Sequence, residues 1–172
     1  MTYWTRLASP LGPLVLASNG AALTGLWMEG QKYFASGLEP EATERPDLPV
    51  FRQTAAWLEA YFIGQTPSSL PSLCPKGSVF RQTVWKALLE IPYGQIRTYR
   101  ELAEKLGSSP RAIGGAVGHN PISILIPCHR VMGTDGSLTG YAGGVEKKQF
   151  LLQLEGADLS LSRLSMPGKG PR

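Results

Sequence analysis

TYRELAEKLGSSPRAIGGAVGHN, residues 98–120, decides how the second half of this chain folds. Thr98 followed three positions later by Glu101 is a capping box, in which each side chain satisfies a backbone N–H at the helix start. Leu102 and Leu106 then share one helical face. Gly107 ends the helix, because a residue without Cβ takes the left-handed closing conformation at little cost. Ser109 caps a second helix, and Pro110 stands at its first position, where the missing N–H has no intrahelical partner to lose. Helix, a turn of about three residues containing glycine, then helix again is helix-turn-helix spacing.

The second helix of such a pair enters a groove of DNA in proteins that read sequence. Readers of base edges use long polar side chains. Here Arg111 is followed by Ala112, Ile113, Gly114, Gly115, Ala116, Val117 and Gly118. Two readings stand side by side. The helix is buried and packed tightly through its glycines, or it is bare so that a nucleic-acid backbone can approach. Each glycine costs about 1 kcal/mol against alanine inside a helix, which favours a need for close approach. Arg111 lies in the first turn, where a long cation is suited to entering a duplex and replacing a displaced base.

Outward from this stretch, Ser78 predicts the cap of a helix whose apolar face is Phe80, Val84, Leu88 and Ile91, stopped by Pro92 and Gly94. VEKKQFLLQLEG, residues 145–156, predicts a last helix, and the tail MPGKGPR is basic and expected to be mobile. The first half reads as β. YWTRLAS, PLVLAS and AALTGLWM are short strands, with Asn19-Gly20 as a two-residue hairpin signal between the last two. Residues 30–49 are polar and read as a loop. VFRQTAAWLEAYF places Phe51, Ala55, Leu58 and Phe62 on one helical face. GQTPSSLPSLCPKG, residues 64–77, has no period and reads as a linker. The expected organisation is an α/β domain over 1–64, a linker over 65–77, a mostly α domain with a helix-turn-helix over 78–160, and a tail over 161–172.

At 172 residues the chain has length for one or two small domains. No apolar run approaches the length of a membrane span, and the N-terminus lacks the pattern of a secretory signal, so a soluble, cytoplasmic protein is expected. The net charge of +4 is uneven: residues 1–75 hold 4 basic and 6 acidic residues, residues 76–172 hold 13 and 7. A basic second half fits a polyanion, and nucleic acid is the leading case; a charge that serves only solubility is the alternative.

The chain has two cysteines and two histidines. Neither cysteine sits in a C-x-x-C pair, so disulfide and zinc frameworks are disfavoured. Cys74, in the predicted linker, reads as a small apolar residue. Cys128 is different, because His129 and Arg130 follow it in ILIPCHRV. A positive neighbourhood favours thiolate. Adjacent residues on an extended chain point apart, so a proton passes between Cys128 and His129 through a water if the loop bends. Glu155 on the last helix is a candidate to orient the imidazole, by the logic of catalytic triads.

FRQTVWKALLEIPYG, TYRELA, RAIGGAVGHNP, ILIPCHRV, GSLTGYAGG and KKQFLLQLEG occur in that order. In this series the chain resembles the O6-alkylguanine-DNA alkyltransferases, densely over residues 78–156 and loosely before them. The resemblance implies a ribonuclease-H-like first domain and a second domain that repairs DNA. It implies that Cys128 attacks the alkyl carbon on O6 of a flipped guanine and keeps the group in a single turnover. His129 corresponds to the general base acting through water, Glu155 to its orienter, and Asn120 to the asparagine bridging recognition helix and active-site loop. Arg111 corresponds to the finger filling the gap in the duplex, with Ala112, Gly114 and Gly115 on the DNA-facing helix. Tyr99 corresponds to the tyrosine that helps rotate the nucleotide. Val131, Tyr141, Ala142 and Gly143 correspond to the pocket, and Lys148 to a lysine supporting the loop. No metal or cofactor is implied, since the first domain lacks the cysteines that bind zinc in some members. The partner is double-stranded DNA bearing O6-alkylguanine; a monomer is expected, with cooperative assembly on DNA left open.

Other classes fit less well. Alkyltransferase-like proteins that flag lesions replace the cysteine, which is present here. A transcription factor would need base-reading side chains after Arg111. A Cys-His hydrolase would need an oxyanion hole, which nothing in the sequence marks.

Overall fold

A computed structural model describes residues 1–67, 69–138 and 140–160. The tail expected over 161–172 lies outside the described residues. The chain forms two compact units: residues 1–76 with 121–125, and residues 77–120 with 126 onward.

The first unit is a four-stranded sheet and a helix. Strands β1 (Tyr3–Leu7), β2 (Leu14–Ser18) and β3 (Leu23–Met28) pair antiparallel in sequence order, and β4 (Thr43–Glu44) adds parallel to β1. All five residues of β2 are buried, because the strand is central and covered on both faces. Val15 and Ala17 pack with Trp27 and, from the following loop, Ala35 and Leu38. On the other face lies helix α1 (Pro49–Phe62), which contacts β2.

Several local expectations change here. The β2–β3 connection is longer than two residues. Asn19 Oδ1 accepts the N–H groups of Ala21 and Ala22, and Ser18 Oγ donates to Ala22 O, which holds the tighter hairpin open. The loop over 30–49 contains β4, too short to show a period. The buried stripe of α1 runs through Phe51, Thr54, Leu58 and Tyr61, because the Thr54 hydroxyl donates to Val50 O inside the helix; Ala55 and Phe62 are only partly covered. Part of the predicted linker is built onto the sheet. Leu23 N donates to Ser72 O and Cys74 N to Leu23 O, while the Cys74 side chain is exposed and not a small core residue. Residues 121–125 also join this unit, where Ile122 bridges to Leu26.

The second unit is helical. Helix α2 (Val79–Leu89) starts at Ser78, whose side chain accepts from Arg81 N. Val84, Leu88 and Ile91 are buried as expected, but Phe80 is 39% exposed. Helix α3 (Tyr99–Leu106) has the full capping box at Thr98 and Glu101, and Gly107 closes it at φ 65°. Helix α4 (Pro110–Gly118) begins at Ser109, which accepts from Ala112 N. Trp85 on α2 donates its indole N–H to Ala116 O at 2.9 Å, fixing α4 to the core. Helix α5 (Val145–Leu154) follows. One feature gave no sequence signal: β5 (Arg97–Thr98) pairs parallel with β6 (Val131–Met132), tying the start of α3 to the chain just beyond Cys128. No helix among the described residues is long and apolar enough to cross a membrane.

Candidate active site

Cys128, His129 and Arg130 form a single 3-10 turn between Pro127 and β6, so the loop bends where an extended chain was the starting assumption. Cys128 and His129 are both buried. Asn120, two residues beyond α4, donates from Nδ2 to Cys128 Sγ at 3.2 Å and to Ile126 O at 2.9 Å. One amide therefore holds both the reactive atom and the backbone that carries it.

His129 Nε2 lies 2.6 Å from Glu155 Oε2, with both side chains withdrawn from solvent. The carboxylate only accepts, so this nitrogen carries the proton and Nδ1 is the basic atom. Among the described residues Nδ1 has no hydrogen-bond partner, and no direct hydrogen bond joins His129 to Cys128. Glu155, the residue after α5, is held further by Arg130 and by Gly94 N. Burial opposes its ionisation, but hydrogen bonds from His129 and Arg130 outweigh that and hold its pKa at about 2. Burial lowers the His129 pKa, against the pull of Glu155, so the ring is a neutral base at pH 7.

Burial pushes the Cys128 thiol up, while the Asn120 hydrogen bond and the Lys148 charge act against it. The ionised resting sulfur expected from its basic neighbours is therefore corrected to a thiol. Arg130 is turned onto Glu155 and His129 is uncharged, so neither supplies the expected positive field.

Around the sulfur stand Tyr99 and Lys148. Lys148 on α5 is fully buried, its Nζ lies 5.9 Å from the Tyr99 ring centroid, and among the described residues no hydrogen-bond acceptor meets it. Burial brings its pKa down to about 8, against an opposing pull from Cys128. Burial, then Cys128, raises the Tyr99 phenol to about 12, so it stays a proton donor. Gly140 sits at φ 93°, and a Cβ there would come within 2.8 Å of the Tyr99 hydroxyl. The Tyr141 ring meets the His129 ring edge-on at 6.4 Å. Val131 is buried in β6 opposite Arg97, while Ala142 and Gly143 follow Tyr141 and are partly exposed.

Arg111, Ala112, Gly114 and Gly115 do not join this cluster. Arg111 and Ala112 are exposed in the first turn of α4, and among the described residues Arg111 makes no ion pair. A Cβ built on Gly114, Gly115 or Gly118 meets nothing within 4 Å. That removes the tightly packed reading of the glycines and leaves a bare face open to a ligand. Residue-by-residue reading missed Arg130 as a partner of Glu155; its place beside Cys128 suggested only a charge on sulfur. Among the described residues no cluster of three His, Cys, Asp or Glu side chains is placed to hold a metal ion.

Fold and site together define a protein with a helix-turn-helix and, in the same unit, a buried cysteine beside a carboxylate-held histidine. The chain belongs to the 6-O-methylguanine DNA methyltransferase family: the ribonuclease-like domain of that family matches residues 2–71 and its DNA-binding domain residues 79–157. The methylated-DNA–protein-cysteine methyltransferase of Mycobacterium tuberculosis is 46% identical over 168 residues, covering 94% of this chain and 99% of the relative. That of Methanosarcina barkeri is 47% identical, covering 89% and 96%. A crystal structure of the M. tuberculosis protein, called OGT, in complex with DNA aligns at TM-score 0.81 and 44% identity, covering 90% of this chain and 92% of that one.

Proposed function

We propose that this protein repairs DNA by moving the alkyl group of O6-alkylguanine onto Cys128, once per molecule. The buried thiol next to a neutral, Glu155-held imidazole carries this reading, supported by family membership across both units. His129 Nδ1 takes the thiol proton through a bridging water. Sulfur then attacks the alkyl carbon in line; the S–C bond forms, the C–O6 bond breaks, and guanine leaves as it gains a proton from the Tyr99 O–H, which protonated His129 replaces through solvent so that the thiol proton ends on guanine. Asn120 and Lys148 stabilise the transient thiolate, because a hydrogen bond and a positive charge both act on Sγ. A thioether is chemically stable under these conditions, so the product persists.

The target atom lies inside the duplex, and extruding its base costs a few kcal/mol. Arg111 fills the vacated stack, while Ala112, Gly114 and Gly115 let α4 lie close to the backbone. Val131, Tyr141, Ala142 and Gly143 line the pocket for the flipped base. No cofactor takes part in this scheme, and the protein acts as a cytoplasmic monomer. The experiment is a titration with a duplex containing one O6-methylguanine. The reading expects guanine restored in one-to-one proportion with protein; multiple turnovers, or binding with the lesion left intact, contradict it.

A further inference from the structure

We propose that Arg130 is a positioning residue for the transfer: its fork fixes the Glu155 carboxylate against His129, and its charge keeps that carboxylate from drawing a second proton onto the ring. This rests on the site reading above, in which His129 removes the Cys128 proton.

Arg130 grips Glu155 with two prongs: Nε donates to Oε1 at 2.7 Å and Nη2 to Oε2 at 3.0 Å. Its remaining nitrogen, Nη1, donates to Ile91 O at 2.7 Å, just beyond α2. The guanidinium carbon lies 5.8 Å from the Tyr93 ring centroid, and the side chain is 11% exposed. The arginine is thus itself immobilised, and it passes that fixity to a carboxylate whose next neighbour is the base. A planar fork matches a carboxylate in a way that an ammonium cannot. Outer partners that orient a metal-ligating histidine commonly change affinity or activity by about 10–100-fold when removed, and the same orienting logic applies to a carboxylate-held histidine base.

The charges around His129 give the inference a readout that a purely structural role lacks. Glu155, at the end of α5, attracts a second proton to the ring. Arg130 in the same turn and Lys148 from α5 oppose it. Cys128 precedes the ring in the same turn, Tyr93 faces Glu155 from the segment after α2, and Tyr141 meets the ring edge-on. Without Arg130, Glu155 is still met by His129 Nε2–H and Gly94 N, and its charge acts on the imidazole unopposed from that side. The ring then charges at a higher pH, and a charged ring is no base.

The test is the single-turnover rate of methyl transfer from saturating O6-methylguanine duplex, followed against pH for wild type, Arg130→Met and Arg130→Lys, with the modified peptide weighed in each case. In Arg130→Met the acid limb should move to higher pH: the rate falls about tenfold relative to wild type at about pH 6 and no more than about threefold at about pH 8.5. Arg130→Lys keeps the charge and loses the fork, so its limb should lie between the two. A uniform drop in both variants, with the limb unmoved, overturns the proposal. If Arg130→Met does not fold, the lysine variant decides alone: a raised limb supports the role and an unmoved limb overturns it. Failure of wild type to methylate Cys128 would instead sink the site reading itself.

Discussion

His129 Nε2 and Glu155 Oε2 lie 2.6 Å apart with neither side chain exposed to solvent. The pair fixes which imidazole nitrogen carries the proton, and it ties the acid stability of the fold to the same two side chains on which the proposed chemistry depends.

That linkage has a definite sign. Glu155 has a folded pKa of about 2 against 4.5 for a free carboxyl, so its contribution is present above 4.5 and is lost as pH falls toward 2. The gap corresponds to stability on the order of 3 kcal/mol. His129 acts in the same direction: its folded pKa is depressed, so the unfolded chain binds its proton first as pH drops below 6.5. Denaturant midpoints should therefore fall in two stages, below about pH 6.5 and again below about pH 4.5. Glu155→Gln should flatten the lower stage.

Asn120→Ala removes donors to Cys128 Sγ and Ile126 O together. A buried carbonyl left unsatisfied costs about 1–3 kcal/mol, so thermal unfolding should reflect a loss of that size. Transfer should slow by at least about tenfold, because the transient thiolate loses its neutral donor. Asn120→Asp should be worse in rate, since a carboxylate beside sulfur opposes its ionisation; a faster Asn120→Asp protein would contradict the role.

Lys148 is buried and meets no hydrogen-bond acceptor among the described residues, an arrangement that costs stability. Lys148→Met should raise stability by about 1–3 kcal/mol while slowing transfer, because the positive field on Cys128 disappears. Calorimetry and single-turnover rates on the same preparation check both halves.

Gly140→Ala places a methyl group at 2.8 Å from the Tyr99 hydroxyl and strains a φ of 93°. The expected loss is about 1–3 kcal/mol, with Tyr99 displaced. Gly115→Ala meets open space in the free protein, so its stability should rise by about 0.5–1 kcal/mol. If α4 lies against the DNA backbone, the same change should weaken duplex binding. Equal affinity would remove the reason offered for the bare face.

The helix-turn-helix was legible in the sequence because its signals are local: Thr98 with Glu101, Gly107, and Ser109 with Pro110 lie within one turn of what they govern. The pairing of Arg97–Thr98 with Val131–Met132 was not, since two-residue strands carry no period. Phe80 looked like a core residue by spacing, but it lies in the first turn of α2, and helical phase does not say where the core begins to cover a helix. At the site, Cys128 and His129 announced themselves by adjacency, and Glu155 by the need for a carboxylate to orient the imidazole, which the family resemblance then matched. The state of the sulfur could not be read from its neighbours' charges, because the partner that turns Arg130 away is 25 residues along the chain.

Arg111→Ala should slow transfer from duplex DNA by about 10–1,000-fold and leave transfer from free O6-methylguanine base within about threefold, because only the duplex has a gap to fill. Equal slowing on both substrates would refute the finger role.

The central claim is that the alkyl group ends on one sulfur. Wild type and Cys128→Ser are mixed with duplex DNA carrying a single O6-methylguanine, digested, and their peptides weighed. The account predicts one added methyl on the wild-type peptide containing Cys128, and none anywhere in Cys128→Ser, whose DNA keeps its lesion. A methyl found on Cys74 or elsewhere, or guanine restored by Cys128→Ser, would contradict it.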